Sequence, residues 1–397
     1  MKQQQNFSTK LGIIPQGWHI KRLGEICTHF QSGTSITSKQ LKENGQYPVY
    51  GGNGLRGYTD KYTHDGPYIL IGRQGALCGN INFVENKNFI SEHAIAVQSN
   101  ENMIWLKYKL EYWNLNRFSE SSAQPGLSVK KLARQKLTIP PLPEQQKIAE
   151  IISTWDEAIE KQSQLIEKLE LRKKGLMQQF FTESKRSSRF DHIWEKVKLE
   201  EIAIFLNSNS LSREQLNNKK GKILNIHYGD ILVKYPSILN VSKEDIPFIN
   251  EDIEYTPKDY VNDGDIIMAD TAEDEMVGRC CEITNVDDTK VVSGLHTILI
   301  HPIRTFASGY LGYYLNSEKY HKQIVSKMQG IKVYSITKNA LKQTTIEIPC
   351  IEEQRIIANI LSQCDTEILL AKQKLYSFQQ QKKGLMQILL TGKKRVI

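Results

Sequence analysis

The hexapeptide Lys-Lys-Gly-Leu-Met-Gln occurs twice in this chain, at residues 173–178 and 382–387, an offset of 209. The same offset aligns Ile139-Pro140 with Ile348-Pro349, Glu144-Gln145 with Glu353-Gln354, and Ile148-Ala149 with Ile357-Ala358. A weaker echo opens each half: Trp18, Arg22, Leu23, Glu25 and Ile26 recur as Trp194, Lys198, Leu199, Glu201 and Ile202, at offset 176. The chain is a tandem duplication whose second copy is longer by the difference of the offsets, about 33 residues. A length of 397 residues also exceeds one ordinary core, so two or three domains are expected.

Behind Pro143 and behind Cys350 the pattern is helical. Apolar positions run Ile148, Ile152, Trp155, Ile159, Ile166, Leu169 and Leu176 in the first copy. In the same register the second has Ile357, Leu361, Ile368, Leu375, Phe378, Leu385 and Leu389. With Gln162, Lys173 and Phe180 in the first and Cys364, Ala371 and Lys382 in the second, the steps alternate four and three and make a heptad seam. Pro143 suits a first helical turn and Glu144 its positive end, while Gly392 can close the second helix. Helices of about 38 residues span ~57 Å. If the seams face each other, the helices are antiparallel, the second returns to the first head, and a pseudo-twofold axis relates the copies. The alternative has each helix capping its own head; seam length and matching register favour the coil. Lys173 and Lys382 interrupt both seams and are expected to snorkel or to mark a docking point for another subunit. The predicted architecture is α+β: two mostly-β domains (1–143 and 187–351) separated by a long antiparallel two-helix coiled coil (144–186 and 352–397).

Short strand-like runs split by glycines mark the first head: Tyr47–Tyr50, Tyr68–Ile71, Gly79–Phe83 and Ala94–Val97, followed by a helical stretch over 103–118. In the second head, Lys222–Ile226, Asp265–Met268, Arg279–Ile283 and Thr297–Ile300 read as strands, and Gly309–Asn316 and Lys319–Met328 as helices. The net charge of +8 is unevenly placed. Residues 1–143 hold 17 Lys/Arg against 9 Asp/Glu; residues 187–351 hold 19 against 23. Within 244–288 there are 15 carboxylates and only two basic residues, whereas 289–351 carries eight basic and two acidic. A polyanion is therefore expected to meet the second head on its later part, the acidic stretch facing solvent or a protein.

Polar residues at the glycine-flanked turns have the donors and acceptors that read base edges: Arg suits guanine O6/N7, Gln suits adenine N6/N7, and a carboxylate suits cytosine N4. The candidates in the first head are Asn53, Arg56, Arg73, Gln74, Glu92 and His93, with Tyr50 and Tyr58 for stacking or backbone contact. In the second they are Asp270, Thr271, Arg279, Ser293 and His296. Gln124, Ser128 and Lys130 before the first long helix, and Gln329, Lys332 and Ser335 before the second, combine Gln, hydroxyl and Lys beside glycine, as a phosphate clamp does. Each turn also reads as a solvated hairpin tip.

Chemistry is missing. The one Pro-Pro, Pro140-Pro141, has no aromatic after it, as an adenine methyltransferase motif needs, and there is no phosphate-binding G-x-x-x-x-G-K-[S/T] loop. Nuclease and H-E-x-x-H signatures are absent, and none of the six cysteines has C-x-x-C spacing. No catalytic or metal site is expected, nor a membrane span, and the N-terminus lacks a signal-peptide pattern, so the expected location is cytoplasmic. A DNA-reading subunit, a protein-binding scaffold and a divergent methyltransferase stay open, the last disfavoured by the missing motifs.

The paired helix openings (Pro141–Ala149, Cys350–Ala358), the Lys-Lys-Gly-Leu-Met-Gln ends and the two Trp motifs resemble the specificity subunits of type I restriction–modification enzymes across essentially the whole chain. Tyr50–Gly54 and Ile71–Gly75 are similar to one class of target-recognition domain in that family; Val292–Thr297 with Asp270-Thr271 is similar to another. Cys350 departs from Pro141 of the first copy. The resemblance implies two target-recognition domains, each reading half of a bipartite, asymmetric site in double-stranded DNA. It implies that the helices set the spacer and bind two methyltransferase subunits, and that restriction subunits join them. S-adenosylmethionine, ATP and Mg2+ would belong to those partners and not to this chain.

Overall fold

The computed structural model describes residues 7–9, 12–75, 77–119, 126–182 and 193–396. The chain gathers into two compact units: Met1–Gln164 with Gln373–Ile397, and Leu165–Lys372. The long helices are continuous, Leu142–Phe181 and Ile351–Leu389. Each gives one half to each unit, so the division by packing falls inside the helices, whereas the four-part reading divides the chain by element type.

In the first unit, strands Cys27–Ser32, Ala94–Ser99, Tyr68–Gly72 and Ile81–Val84 form an antiparallel sheet in that order. The central strands are apolar without alternation because both faces are covered. Ile69, Ile71, Ile95 and Val97 pack with Trp105, Leu106 and Leu110 of the helix Met103–Trp113. Leu70, Ala94 and Ala96 pack with Tyr50 and Ile90, which belong to a second sheet. That sheet has the order Gly54–Thr59, Tyr47–Gly51, Lys87–Ile90, His64–Asp65, and its middle pair is parallel.

The second unit repeats this plan. Its main sheet has the order Ala203–Leu206, Thr297–Pro302, Ile266–Ala269, Cys280–Thr284, Ile238–Asn240. A second sheet again has a parallel pair, Leu224–Ile226 with Val291–Ser293. Two heads unlike in sequence thus share one framework. Ser91 N–H donates to Tyr50 O (2.8 Å), as Gly294 N–H does to Ile226 O (2.9 Å). Gly72 pairs with Ala94, as Ala269 does with Thr297. The offset therefore grows from 176 at Tyr50/Ile226 to 197 at Gly72/Ala269 and 203 at Ala94/Thr297. Most of the extra length enters between Ile226 and Ala269, where the second unit adds the helix Tyr228–Val233 and the strand Ile238–Asn240.

The strongly repeated sequence has a repeated job. Strand His19–Arg22 pairs with Lys136–Ile139, and Glu195–Lys198 with Thr345–Ile348, so each opening segment is stitched to the strand that feeds a long helix. Trp18 Nε1 donates to Glu144 (3.0 Å) and Trp194 Nε1 to Glu353 (3.1 Å). Gln145 accepts from Asn102 N–H (2.9 Å) and donates to Pro140 O (2.9 Å); Gln354 accepts from Ala307 N–H (3.0 Å) and donates to Pro349 O (2.9 Å). The Glu-Gln pair at each helix start therefore satisfies buried groups of its head.

Within each unit the two helix halves run antiparallel. In the first, Trp155 meets Phe378 edge-on at 5.6 Å and Arg395 holds Glu144 through two contacts of 2.7 and 2.8 Å. In the second, Glu170 pairs with Lys372 (2.7 Å) and Arg172 with Glu367. All the named seam residues are buried or half-buried. Gly392 has φ +72 just beyond the second helix, and a Cβ there would strike the Pro15 ring, so glycine is required at this stop.

Lys173 and Lys382 neither snorkel nor stand free. Lys173 Nζ lies 2.5 Å from Asp365 and over the Tyr313 ring, whose hydroxyl donates to the same carboxylate (2.7 Å). Lys382 Nζ lies 2.5 Å from Asp156 and over Tyr108, which donates to Asp156 (2.6 Å). The positive charge sits in the seam because an acid and a ring face from the neighbouring elements receive it. Lys173→Met should cost about 1–3 kcal/mol, and a double-mutant cycle with Asp365→Asn should return a coupling of about 0.5–3 kcal/mol. A null coupling in denaturant titrations would reduce the pair to a surface ornament.

Candidate nucleic-acid interface

At one end of each main sheet the turns converge. In the first unit, Arg73 N–H donates to His93 O (2.9 Å) and Leu127 N–H to Arg73 O (2.9 Å), and Gln74 pairs with Gly126. Gly52 lies against His93 O and Gly72, leaving no room for a Cβ. Tyr50–Gly54, Ile71–Gly75, Ser91–His93 and the segment before the first long helix therefore form one cluster. His93 Nδ1 lies 3.1 Å from Gln74 Oε1 and its Nε2 lies 3.4 Å from Glu92. Arg73, Gln74, Leu127, Ser128 and Lys130 line a cavity of about 480 Å³.

In the second unit, Asp270 N–H donates to His296 O (3.1 Å) and Ile336 N–H to Asp270 O (2.8 Å), and Thr271 pairs with Ser335. This is the same backbone frame, with Asp270-Thr271 where the first unit has Arg73-Gln74, and His296 where it has His93. Thr271 Oγ1 donates to Asp270 Oδ1 (2.7 Å), and His296 Nδ1 stands 3.5 Å from that oxygen. His296 has φ +52, a left-handed conformation that turns its ring out to solvent. The ring stacks edge-on against Tyr228 at 5.2 Å. Gln329 joins through paired backbone hydrogen bonds with Ser335 (2.8 and 2.9 Å), and Lys332 is exposed at the tip between them.

Other candidates are buried, engaged internally or set on the cluster's margin. Ser293 is buried and bonded to Thr297 (2.6 Å), so it cannot reach DNA. The Arg279 guanidinium is tied to Leu232 O (2.7 Å) and Tyr235 O (3.4 Å), where it closes the end of the Tyr228–Val233 helix. Tyr50 is half-buried against Leu70 and Ile90. Tyr58 lies half-buried on Gly54–Thr59, a strand whose backbone it ties to Lys42, away from the cluster. Arg56 packs on Gly51 with Nη1 3.5 Å from Ser91 Oγ, and Asn53 is exposed at the hairpin tip. Ser128 caps the helix Val129–Ala133 (3.4 Å to Lys131 N), which uses one lone pair and leaves its O–H as a donor. Its counterpart is Thr337, which caps Lys338–Lys342 (3.2 Å), and not Ser335, the counterpart of Gly126. Gln124 lies outside the described residues.

His227 and Tyr228 were not among the candidates, yet they sit at the cluster edge. Tyr50 at offset 176 is Ile226, so the offset alone would have placed His227-Tyr228 opposite Gly51-Gly52. Burial holds the His227 imidazole below its ordinary pKa, in keeping with its role as acceptor from Gly229 N–H (3.2 Å). Among the described residues no group of acids, histidines or cysteines is arranged to hold a metal, and no helix is long and apolar enough to cross a membrane.

The chain is an α+β protein in which one frame is built twice, with different side chains presented on each copy. The type I restriction modification DNA specificity domain matches residues 15–171 and again 192–377, and the chain belongs to that family. It is 25% identical over 431 aligned positions to the type I restriction enzyme MjaVIII specificity subunit of Methanocaldococcus jannaschii, covering 99% of this chain and 97% of that one. It is 41% identical over 142 residues to the EcoprrI specificity subunit of Escherichia coli, a stretch covering 34% of this chain and 35% of that protein. The fold is similar to the crystal structure of a type I restriction-modification S subunit from M. genitalium (TM-score 0.60, 14% identity, 94% and 96% coverage). The chain is thus a specificity subunit of a type I restriction–modification system.

Proposed function

We propose that the two clusters each read one half of a bipartite, asymmetric site in double-stranded DNA, and that this chain performs no chemistry itself. The observation that carries this is the shared frame: Arg73-Gln74-His93 and Asp270-Thr271-His296 hang on matching backbone hydrogen bonds but offer different functional groups. A duplicated reader with diverged side chains suits a site whose halves differ. Two methyltransferase subunits with S-adenosylmethionine, and restriction subunits with ATP and Mg2+, would supply catalysis in the cytoplasm, docking on helix faces outside the seam.

The test is reconstitution. The purified chain alone should transfer no methyl groups, while chain plus methyltransferase subunits should methylate adenine in a two-part site. Methylation by the isolated chain, or an assembled enzyme indifferent to sequence, would refute the proposal. Lys130 is exposed on the rim of the first cluster, where it suits a phosphate. Lys130→Ala should weaken binding to all sequences alike and flatten the salt dependence of log K by about 0.9. A change confined to one base pair would instead make Lys130 a base reader.

A further inference from the structure

We infer that residues 73 and 270 are the same reading position in the two units, carrying opposite hydrogen-bond polarity: Arg73 selects a guanine in one half-site and Asp270 selects a cytosine in the other. The assignment rests on DNA readout by these clusters and adds which base each one takes.

The equivalence is one of backbone. Residues 72 and 269 pair with 94 and 297 in the central ladder. The next residue along donates its N–H to a histidine carbonyl, His93 or His296, and accepts at its own carbonyl from Leu127 or Ile336. Those last two are related by the offset of 209 that relates the long helices. Five residues fixed in register leave no freedom to slide one turn against the other. The side chains at 73 and 270 therefore leave matching points of matching frames.

What they offer is opposite. The Arg73 guanidinium has only donors, beside a cavity it shares with Gln74. Guanine alone shows two adjacent acceptors, O6 and N7, on its major-groove edge. Gln74 is exposed, and with its Oε1 beside His93 Nδ1 its NH2 group remains as a further donor. Ionised Asp270 has only acceptors. Thr271 and His296 both address Oδ1, leaving Oδ2 open among the described side chains. A carboxylate brought against DNA needs an amine donor or it is stranded. Adenine N6 and cytosine N4 are the amines of the major groove. Beside adenine N6 stands the N7 lone pair, which repels a carboxylate, whereas cytosine N4 has no acceptor on that flank. Cytosine is the base that fits.

The experiment uses the chain assembled with its methyltransferase subunits and reads base preference at every position of the methylated site by sequencing. Asp270→Asn preserves shape and can still accept from Thr271. It should cut discrimination for cytosine by about 5- to 150-fold at one base pair of one half-site, leaving the other half-site untouched. Asp270→Arg with Thr271→Gln should turn the preferred base at that pair from cytosine to guanine. A folded Asp270→Asn complex whose preferences are unchanged at all positions, or changed in the half-site read by Arg73, overturns the assignment while leaving DNA specificity intact. A wild-type complex without any preferred site would remove both.

Discussion

Ile152→Ala is expected to destabilise the first unit by about 2–5 kcal/mol, the range for truncating a fully buried aliphatic side chain where neighbours relax only in part. Ile152 is 0% exposed and packs in one core with Ile148, Trp105, Tyr108 and Leu389, elements that close on it from the head, its own helix and the far end of the second helix. Its partner by the offset of 209 is Leu361, also 0% exposed, in the core that holds Ile357, Phe181, Tyr310 and Tyr313. Because the cores are separate, the damage should be local. Hydrogen exchange should show protection lost in 12–164 and 373–396 for Ile152→Ala, and in 165–372 for Leu361→Ala. If either change loosened both units equally, the division of each helix between two cores would be wrong. A cost below about 1 kcal/mol would mean that the site collapses around the lost atoms.

Such pairs were legible in the sequence because the helices repeat without insertion, so one offset carries every position from Ile139 to Gln387. The Lys–Asp–Tyr groups of the seam were half legible. The interruptions at Lys173 and Lys382 could be seen, but their acceptors Asp156 and Asp365 lie on the other helix, and Tyr108 and Tyr313 come from the heads. Pairing of that kind depends on which helix faces which, and period alone does not specify it.

The heads were harder for a definable reason. Their strands could be found from apolar runs, and several expected spans match within a residue or two, such as 265–268 against Ile266–Ala269. Their equivalence could not, because insertions move the offset four times, through 197, 203 and 205, before it settles at 209. The Ser128–Ser335 match shows the cost: composition suggested it, but register assigns Ser128 to Thr337. Ser293 and Arg279 were chosen for chemical type, and type does not reveal burial. Both polar ends are used internally, by Thr297 and by two carbonyls.

A buried lysine in the first core gives the last expected result: stability of the first unit should rise with pH between about 7 and 9. Lys109 is 3% exposed, and its Nζ lies 2.5 Å from Leu390 O and 3.1 Å from Thr138 Oγ1. Burial pushes its pKa down to about 7 from the ordinary 10.5. In that interval the unfolded chain binds a proton that the folded chain does not, so unfolding becomes less favourable as pH rises, by up to about 1.4 kcal/mol per pH unit. Above 9 the Cys27 thiol, which burial pushes up to about 12, opposes the gain, so the rise is confined to the window between 7 and 9; below 7 the folded protein holds a buried cation. The second copy has no such group, since Tyr314 occupies the matching place and its hydroxyl accepts from Glu347 N–H (3.0 Å), Glu347 being the counterpart of Thr138. Lys109→Met should remove the rise of the first unit between pH 7 and 9 and leave the second unit unchanged, although it strands the Leu390 carbonyl at the cost of about 1–3 kcal/mol. Denaturant titrations of wild type and variant below, within and above the window check this. Parallel curves would mean that the lysine stays charged throughout, sustained by the negative end of the second helix where Leu390 lies.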